Sequence, residues 1–119
     1  MTIGELAARV GVRTSTLRYY EQIGLMPAPP RAGGQRRYDG EHLRRAHMLV
    51  AARRLGFSVR ALLSMIHAPR ERLNSAALLR SQRLHAEAAA ISRQAEHLER
   101  LAACDCGSPI ACPLLAEME

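Results

Sequence analysis

The chain has 119 residues and a formal net charge of +6, and all 17 of its Lys and Arg side chains are arginine. No apolar run approaches the ~20 residues that span a bilayer, and the first residues lack the pattern of a signal peptide, so we expect neither a membrane protein nor a secreted one. Its three cysteines are an odd number near the C-terminus, which argues against a disulfide framework and favours metal or redox chemistry.

The charge is distributed unevenly along the chain. Residues 1–60 hold 11 arginines and 4 acidic residues, whereas residues 61–119 hold 6 arginines and 7 acidic residues. A basic half joined to a nearly neutral half indicates that one end of the protein meets a polyanion. The codon usage of a GC-rich genome would explain the arginines equally well. Sequence motifs are therefore needed to decide between these two explanations.

Two short helices are predicted at the N-terminus. Thr2 and Glu5 form a capping box, and apolar residues recur at helical spacing until Gly11. Thr14 is predicted to cap a second helix over residues 15–22. Two short helices joined by a tight turn that contains glycine form a helix-turn-helix.

The second helix and the segment after it carry side chains that suit DNA. Ser15, Arg18 and Tyr19 share one helix face, and arginine beside small hydroxyl residues is typical of recognition in the major groove. Prolines and glycines in residues 27–38 exclude a helix there and predict a hairpin-like wing. This segment has three arginines and a tyrosine, which suit phosphates or a minor groove.

Three sequence blocks occur in an order typical of one family. They are Thr-Leu-Arg-Tyr-Tyr-Glu-x-x-Gly-Leu over residues 16–25, Gly-Gly-Gln-Arg-Arg-Tyr in the wing, and Arg-Arg-Leu-Gly-Phe-Ser over residues 53–58. This order resembles the MerR family of bacterial transcription regulators, specifically over residues 1–66 and more loosely to the C-terminus. The resemblance implies a mainly α-helical, winged helix-turn-helix protein that binds double-stranded promoter DNA in the bacterial cytoplasm. The DNA contacts expected on this basis are Thr14, Ser15, Arg18, Tyr19, Arg36, Arg37 and Tyr38.

A long helix is predicted from about Ser75 to Ala103, where neither glycine nor proline occurs. Its apolar residues are spaced 4-3-4-3-4, the pattern of a coiled-coil seam. An isolated helix would leave this seam in water, so we expect it to pair with a second copy of the chain, and packing on the chain's own N-terminal domain is the alternative. The resemblance implies an antiparallel coiled coil in a homodimer. The predicted interface is Leu84, Ala88, Ile91, Ala95, Leu98 and Ala102.

Three thiols follow this helix within nine residues. Gly107 and Pro109 break the helix and fold the chain back, so the thiols can converge on one soft cation. The alternatives are three inert apolar residues, or a structural zinc whose fourth ligand would be His85 or His97. The predicted metal ligands are Cys104, Cys106 and Cys112.

Two patterns within the family are similar to this loop. Cys104 and Cys112, with seven residues between them and a proline after the second, resemble the two-thiolate loop of copper(I), silver and gold sensors. The Cys-x-Cys-x5-Cys-Pro-Leu pattern resembles SoxR-type [2Fe–2S] redox sensors, although Leu101 stands where the first cluster cysteine is expected. The resemblance therefore favours a copper(I)-like ion. Zinc, mercury, a [2Fe–2S] cluster and a thiol switch remain alternatives.

The sequence thus predicts a DNA-binding domain over residues 1–70, a dimerisation helix over 71–103 and an effector-sensing loop and tail over 104–119. The resemblance implies that the dimer bends and undertwists a promoter that it shares with RNA polymerase. We expect no enzyme, because the chain offers no Ser-His-Asp set, phosphate-binding glycine loop or paired acids beside a histidine. A small metal-buffering protein is the alternative of another class, and salt-dependent DNA binding would separate the two.

Overall fold

Six helices and one short hairpin make up residues 1–116, the part of the chain that the computed structural model describes. In chain order they are α1 (Ile3–Val10), α2 (Thr14–Gln22), β1 (Arg31–Ala32), β2 (Gln35–Arg36), α3 (Gly40–Arg54), α4 (Val59–Met65), α5 (Arg70–Ala103) and α6 (Pro113–Ala116). The chain divides into two structural units, Met1–Arg72 and Leu73–Glu119. No described helix is both long and apolar enough to cross a membrane. The prediction of a mainly α-helical protein is confirmed.

The helix-turn-helix forms because local interactions define the helix ends. The Thr2 hydroxyl accepts the backbone N–H of Glu5 at 3.2 Å, and Gly11 ends α1 in the left-handed conformation, with φ 74°. The cap residue of α2 is Arg13, which contributes no side-chain hydrogen bond, and the helix already includes Thr14. The prediction that Thr14 caps α2 is therefore wrong, because its backbone is already helical.

The wing is a two-stranded antiparallel hairpin. Arg31 pairs with Arg36, and Ala32 pairs with Gln35. The two residues between the strands are glycines with φ 61° and 79°. A two-residue turn with positive φ at both positions matches the twist of the strands, and glycine adopts these angles without steric cost.

Helices α3 and α4 complete the core of the first unit. Asp39 caps α3, because its carboxylate accepts the backbone N–H groups of Glu41 and His42 at 3.0 and 3.1 Å. Ser58 caps α4, which ends at Met65. The buried residues of this unit are Leu6, Ala7, Val10, Leu17, Tyr20, Leu25, Met26, Pro29, Tyr38, His42, Ala46, Leu49, Val50, Phe57 and Leu62.

Helix α5 exposes the apolar seam that the sequence predicts. Leu84, Ile91 and Leu98 are 46%, 65% and 62% exposed, and no side chain of α5 is buried among the described residues. Burying a leucine or isoleucine side chain stabilises a structure by roughly 1.5–3 kcal/mol, so an uncovered seam favours a partner. The smaller seam residues that are also exposed are Ala88, Ala95 and Ala102.

Candidate nucleic-acid interface and effector site

The residues predicted to contact DNA lie on α2 and on the wing. Helix α2 buries Leu17 and Tyr20, so the opposite face is directed to solvent. Thr14 is half-buried at the start of this helix. The members of the predicted set that the structure leaves exposed are Ser15, Arg18, Tyr19, Arg36 and Arg37.

Arg18 and Arg36 line the same groove between α2 and the wing. The Arg36 guanidinium donates to the Glu21 carboxylate at 3.2 Å, whereas Arg18 makes no ion pair within residues 1–116. An unpaired guanidinium beside a basic hairpin suits a phosphate or the edge of a guanine. This groove is the strongest candidate for the nucleic-acid contact.

Tyr38 does not lie on this surface, which corrects its assignment as a DNA contact. Its side chain is only 2% exposed, and its hydroxyl donates to the second oxygen of the Glu21 carboxylate. Burial raises the pKa of Tyr38 to about 12, and the hydrogen bond and charge of Glu21 add to the rise although Arg36 opposes it. The phenol therefore stays protonated and acts as an internal donor.

Glu21 is a positioning residue at this surface that the sequence analysis did not identify. Its side chain is 9% exposed, and its two oxygens accept from Tyr38 and from Arg36, so one carboxylate connects α2 to the last residue of β2 and to the segment just after it. Arg31, one of the three wing arginines, was not named among the predicted DNA contacts, although it lies opposite Arg36 in the hairpin. A lone carboxylate in the Arg-Tyr-Tyr-Glu block, ahead of a basic wing, is the signal that could have indicated this pairing.

We expect the Tyr38 phenol to ionise only near pH 12 in the folded protein. Because its folded pKa is above the ordinary value of 10.0, the stability that it contributes is fully present below about pH 10 and is lost as the pH rises to about 12. Phenolate absorbance of the wild type minus that of Tyr38→Phe measures this titration, with Tyr19→Phe, on the exposed face, as the control. A difference spectrum centred near pH 10 would contradict the assignment.

The second candidate site is the group of three cysteines. Cys104 follows the end of α5, Cys112 precedes α6, and Gly107 turns the chain between them with φ 83°. The Sγ atoms of Cys104 and Cys112 are 4.0 Å apart, and the three Sγ atoms all lie within 4.8 Å of one another. The structure therefore brings together the three thiols that the sequence analysis predicted as ligands.

The pKa values of two of these thiols are shifted in opposite directions. Burial raises the pKa of Cys112, but two backbone N–H groups at the start of α6 and the neighbouring thiols outweigh it and lower the pKa below 9.0. For Cys106, a backbone hydrogen bond at Ser108 lowers the pKa, but the hydrogen bonds with the other two thiols raise it above 9.0. Cys112 is thus the readier of these two thiols to become a thiolate.

The donor set of the site is three sulfur atoms. The His97 Nε2–H donates to the carbonyl oxygen of Leu114 at 2.8 Å, while Arg100 donates to His97 Nδ1 at 3.2 Å. Around the three thiols, no histidine or carboxylate of the described residues completes a ligand group. Three thiols fit a soft cation, whereas a four-ligand structural zinc and a four-thiolate [2Fe–2S] cluster both lack a ligand, since the chain has only three cysteines.

Comparison with known proteins identifies the family. Residues 1–67 match the family described as "MerR HTH family regulatory protein". The chain belongs to the MerR family. The HTH-type transcriptional regulator HmrR of Sinorhizobium medicae (strain WSM419) is 33% identical over 126 residues, which cover 99% of this chain and 86% of that protein.

Two solved structures of the MerR family are similar to the chain along most of its length. The regulator PbrR691 from Ralstonia metallidurans CH34, in complex with lead(II), has a TM-score of 0.63 and 26% identity, and the match covers 98% of this chain and 97% of that one. HiNmlR, a MerR family regulator lacking the sensor domain and bound to promoter DNA, has a TM-score of 0.59 and 25% identity, covering 84% of this chain and 81% of that one.

Membership in the MerR family assigns the chain to DNA-binding transcription regulators and not to enzymes. The predicted architecture, a winged helix-turn-helix followed by a long helix, is confirmed by these relatives. Several curated relatives match about half of this chain, and the match spans about a quarter to a half of their own length.

Proposed function

We propose that the chain is a homodimeric regulator that distorts promoter DNA when its C-terminal cysteines bind a soft metal ion. The observation that carries the proposal is the convergence of three thiols within 4.8 Å in a chain whose first unit is a MerR-type DNA-binding domain. The similarity to PbrR691 in complex with lead(II) supports a soft cation. By its resemblance to the two-thiolate loop, the Cys104–Cys112 pair favours a copper(I)-like ion, with mercury as an alternative.

Two of the three thiols, those of Cys104 and Cys112, lie at the two ends of the sensing loop, residues 104–112. Cys104 is attached to the end of α5 and Cys112 to the start of α6, so a bound cation supplies a cross-link between these helices. Ile110 in the loop is 98% exposed and Leu115 in α6 is 41% exposed. These apolar side chains are free to pack when the loop is ordered, and we infer that they do so against α5 of a second copy.

The dimer follows from the apolar seam of α5. A second copy of the chain offers the same seam, and a two-fold, antiparallel pair covers both at once. Such a pair presents two DNA-binding domains to one pseudo-palindromic site. The proposed interface remains Leu84, Ala88, Ile91, Ala95, Leu98 and Ala102, which share one face of the helix.

The regulatory step is a change in DNA shape. The two domains bind the promoter with and without the cation, and ordering of the loop rotates them slightly, which bends and undertwists the DNA between the half-sites for RNA polymerase. Such a switch requires the two protein states to differ in affinity for the cation. The regulator would act on promoter DNA in the cytoplasm.

We expect Arg18→Ala to weaken binding to the operator by about 1–3 kcal/mol, or roughly 5- to 150-fold, because this guanidinium is the unpaired cation in the groove between α2 and the wing. The operator is obtained by selecting duplexes from a random pool with the protein itself, and affinity is measured by fluorescence anisotropy. Arg93→Ala in α5 is the control with the same change of charge. Unchanged operator affinity would remove Arg18 from the interface.

The salt dependence of binding tests the DNA-binding function as a whole. Affinity for the selected duplex should fall steeply between low and moderate salt, because the arginines of the first unit displace counterions from phosphates. A metal-buffering protein would show weak binding without preference for any selected sequence. That result, together with tight metal binding, would replace the proposed function by the buffering one.

A further inference from the structure

The three thiols form a site with three sulfur donors, and no histidine or carboxylate of the described residues joins them. Besides the cysteines, the loop groove is lined by the apolar side chains of Leu101, Pro109 and Leu115 and by Gly107 and Ser108. His97, a candidate ligand in the sequence analysis, already donates to the carbonyl oxygen of Leu114. A cation in this groove would therefore meet three sulfur atoms and a lining that is mostly hydrocarbon, with the Ser108 hydroxyl as the other polar side-chain group.

The spacing of the sulfur atoms suits a three-coordinate centre. With a metal–sulfur distance of ~2.3 Å, three sulfurs around one ion lie ~4.0 Å apart in a plane and closer in a pyramid. The Sγ atoms of Cys104 and Cys112 are 4.0 Å apart, and Cys106 lies within 4.8 Å of both, so the three sulfur atoms would move closer together around a pyramidal ion. A linear two-thiolate centre would need ~4.6 Å between two sulfurs and would leave the third thiol without a role.

The net charge of the ion–thiolate complex distinguishes between the ions that three thiolates could bind. Three thiolates carry −3, so the complex has a charge of −2 with a monovalent ion, −1 with a divalent ion and zero with a trivalent one. Cys112 is 2% exposed and Cys104 is partly buried, whereas Cys106 is exposed, so part of the complex would lie away from water, where uncompensated charge costs free energy. Asp105, which lies between Cys104 and Cys106 in the sequence, adds further negative charge. A neutral complex is therefore favoured.

We propose that Cys104, Cys106 and Cys112 of a single subunit bind a trivalent metalloid, arsenic(III) or antimony(III), as a neutral three-thiolate complex. This proposal rests on the proposed function, since it names the class of effector for the same loop. In a pyramidal trivalent centre the lone pair occupies the fourth direction. The hydrocarbon of Leu101, Pro109 and Leu115 suits that direction because it offers no competing ligand.

The binding reaction is a ligand exchange without change of oxidation state. Each thiol forms one As–S bond as one As–O bond of arsenous acid breaks, and the thiol proton leaves with the hydroxide as water. One As(OH)₃ and three thiols thus give one As(SR)₃ and three waters. No oxidant is needed, and no net proton is released, in contrast to the binding of a bare metal ion by thiols.

Thiol counting on the full-length reduced protein tests the proposal. Because the chain has three cysteines in total, one equivalent of arsenite should remove all three from reaction with a chromogenic thiol reagent. A native mass spectrum should show a gain of one arsenic less three hydrogens per subunit. Protection of two or fewer thiols would overturn the proposal.

The variant Cys106→Ser separates the third thiol from the other two. We expect arsenite binding to weaken at least ~100-fold, because a ligand held at high effective concentration is lost, whereas silver(I) binding by the two remaining thiols is retained. Ala111→Ser, at an exposed position of the same loop, is the control and should bind arsenite like the wild type. Circular dichroism shows whether each variant is folded. Equal arsenite affinity of Cys106→Ser and wild type would contradict the proposal.

The two hypotheses fail in different ways. If silver(I) changes the operator complex while arsenite leaves the thiols free, the metalloid proposal is wrong and the proposed function stands. If arsenite protects three thiols but neither arsenite nor silver(I) changes the operator complex, the site is correct and the proposed regulatory function is wrong.

Discussion

Cys112→Ser is expected to abolish the response to silver(I) while operator affinity stays within about two-fold of the wild type. The thiol lies in the second structural unit, and the proposed DNA contacts lie in the first, so the change removes a proposed ligand without altering the proposed DNA-binding surface. An allosteric coupling of about 1–3 kcal/mol should fall to near zero. Anisotropy with the selected operator and in vitro transcription, each with and without silver(I), measure the two properties separately.

Ala111→Ser is the matched control for this variant. It places the same hydroxyl at the adjacent, exposed position, where it removes no thiol, so the response to silver(I) should be retained. Should Cys112→Ser lose operator affinity and response to the same degree, the division of labour between the two units would be wrong. A full response in Cys112→Ser would show that this thiol is not part of the effector site.

Ile91→Arg is expected to convert the proposed dimer into a monomer and to weaken operator binding by about 100-fold or more. Each dimer would lose two buried isoleucines, worth about 3–6 kcal/mol together, and would gain two charges in an apolar seam. Because Ile91 is 65% exposed on its own chain, the subunit itself should still fold. Analytical ultracentrifugation gives the oligomeric state, and anisotropy gives the affinity for a two-half-site operator.

Ala86→Arg provides the comparison on the same helix. Position 86 lies opposite the seam of α5 and is exposed, so this arginine should leave both the dimer and operator binding intact. If Ile91→Arg remains dimeric, the seam is not the interface. If it becomes monomeric with undiminished operator affinity, the two DNA-binding domains do not act as a pair.

The elements that the sequence predicted well are those with local causes. Gly11 ends α1 and the paired glycines of the wing form a two-residue turn because positive φ is a property of the residue itself. Gly107 and Pro109 likewise indicated the turn that brings Cys104 towards Cys112. The apolar seam of α5 could be predicted because the spacing of its residues depends only on helical periodicity.

Interactions between distant residues were harder to predict. Tyr38 is of a residue type that often contacts DNA, yet its hydroxyl donates a hydrogen bond to Glu21, which lies seventeen residues earlier in the chain. No local sequence pattern indicates this pairing. His97 was a possible ligand until the structure placed it against the carbonyl oxygen of Leu114. Such pairings depend on how the helices and the hairpin pack together. The structure is therefore needed to distinguish residues that face solvent from buried residues that hold them in position.

The most direct test of the central claim is the shape of bound DNA during a silver(I) titration. The wild-type protein is held on a selected operator with 2-aminopurine at the centre of the duplex, and base fluorescence is followed while anisotropy reports that the complex stays intact. We expect a fluorescence change that reaches a plateau when silver(I) has saturated the thiols, with the DNA still bound. For Cys112→Ser we expect no change. Unchanged fluorescence with both metal and DNA bound, or release of the DNA by the metal, would contradict it.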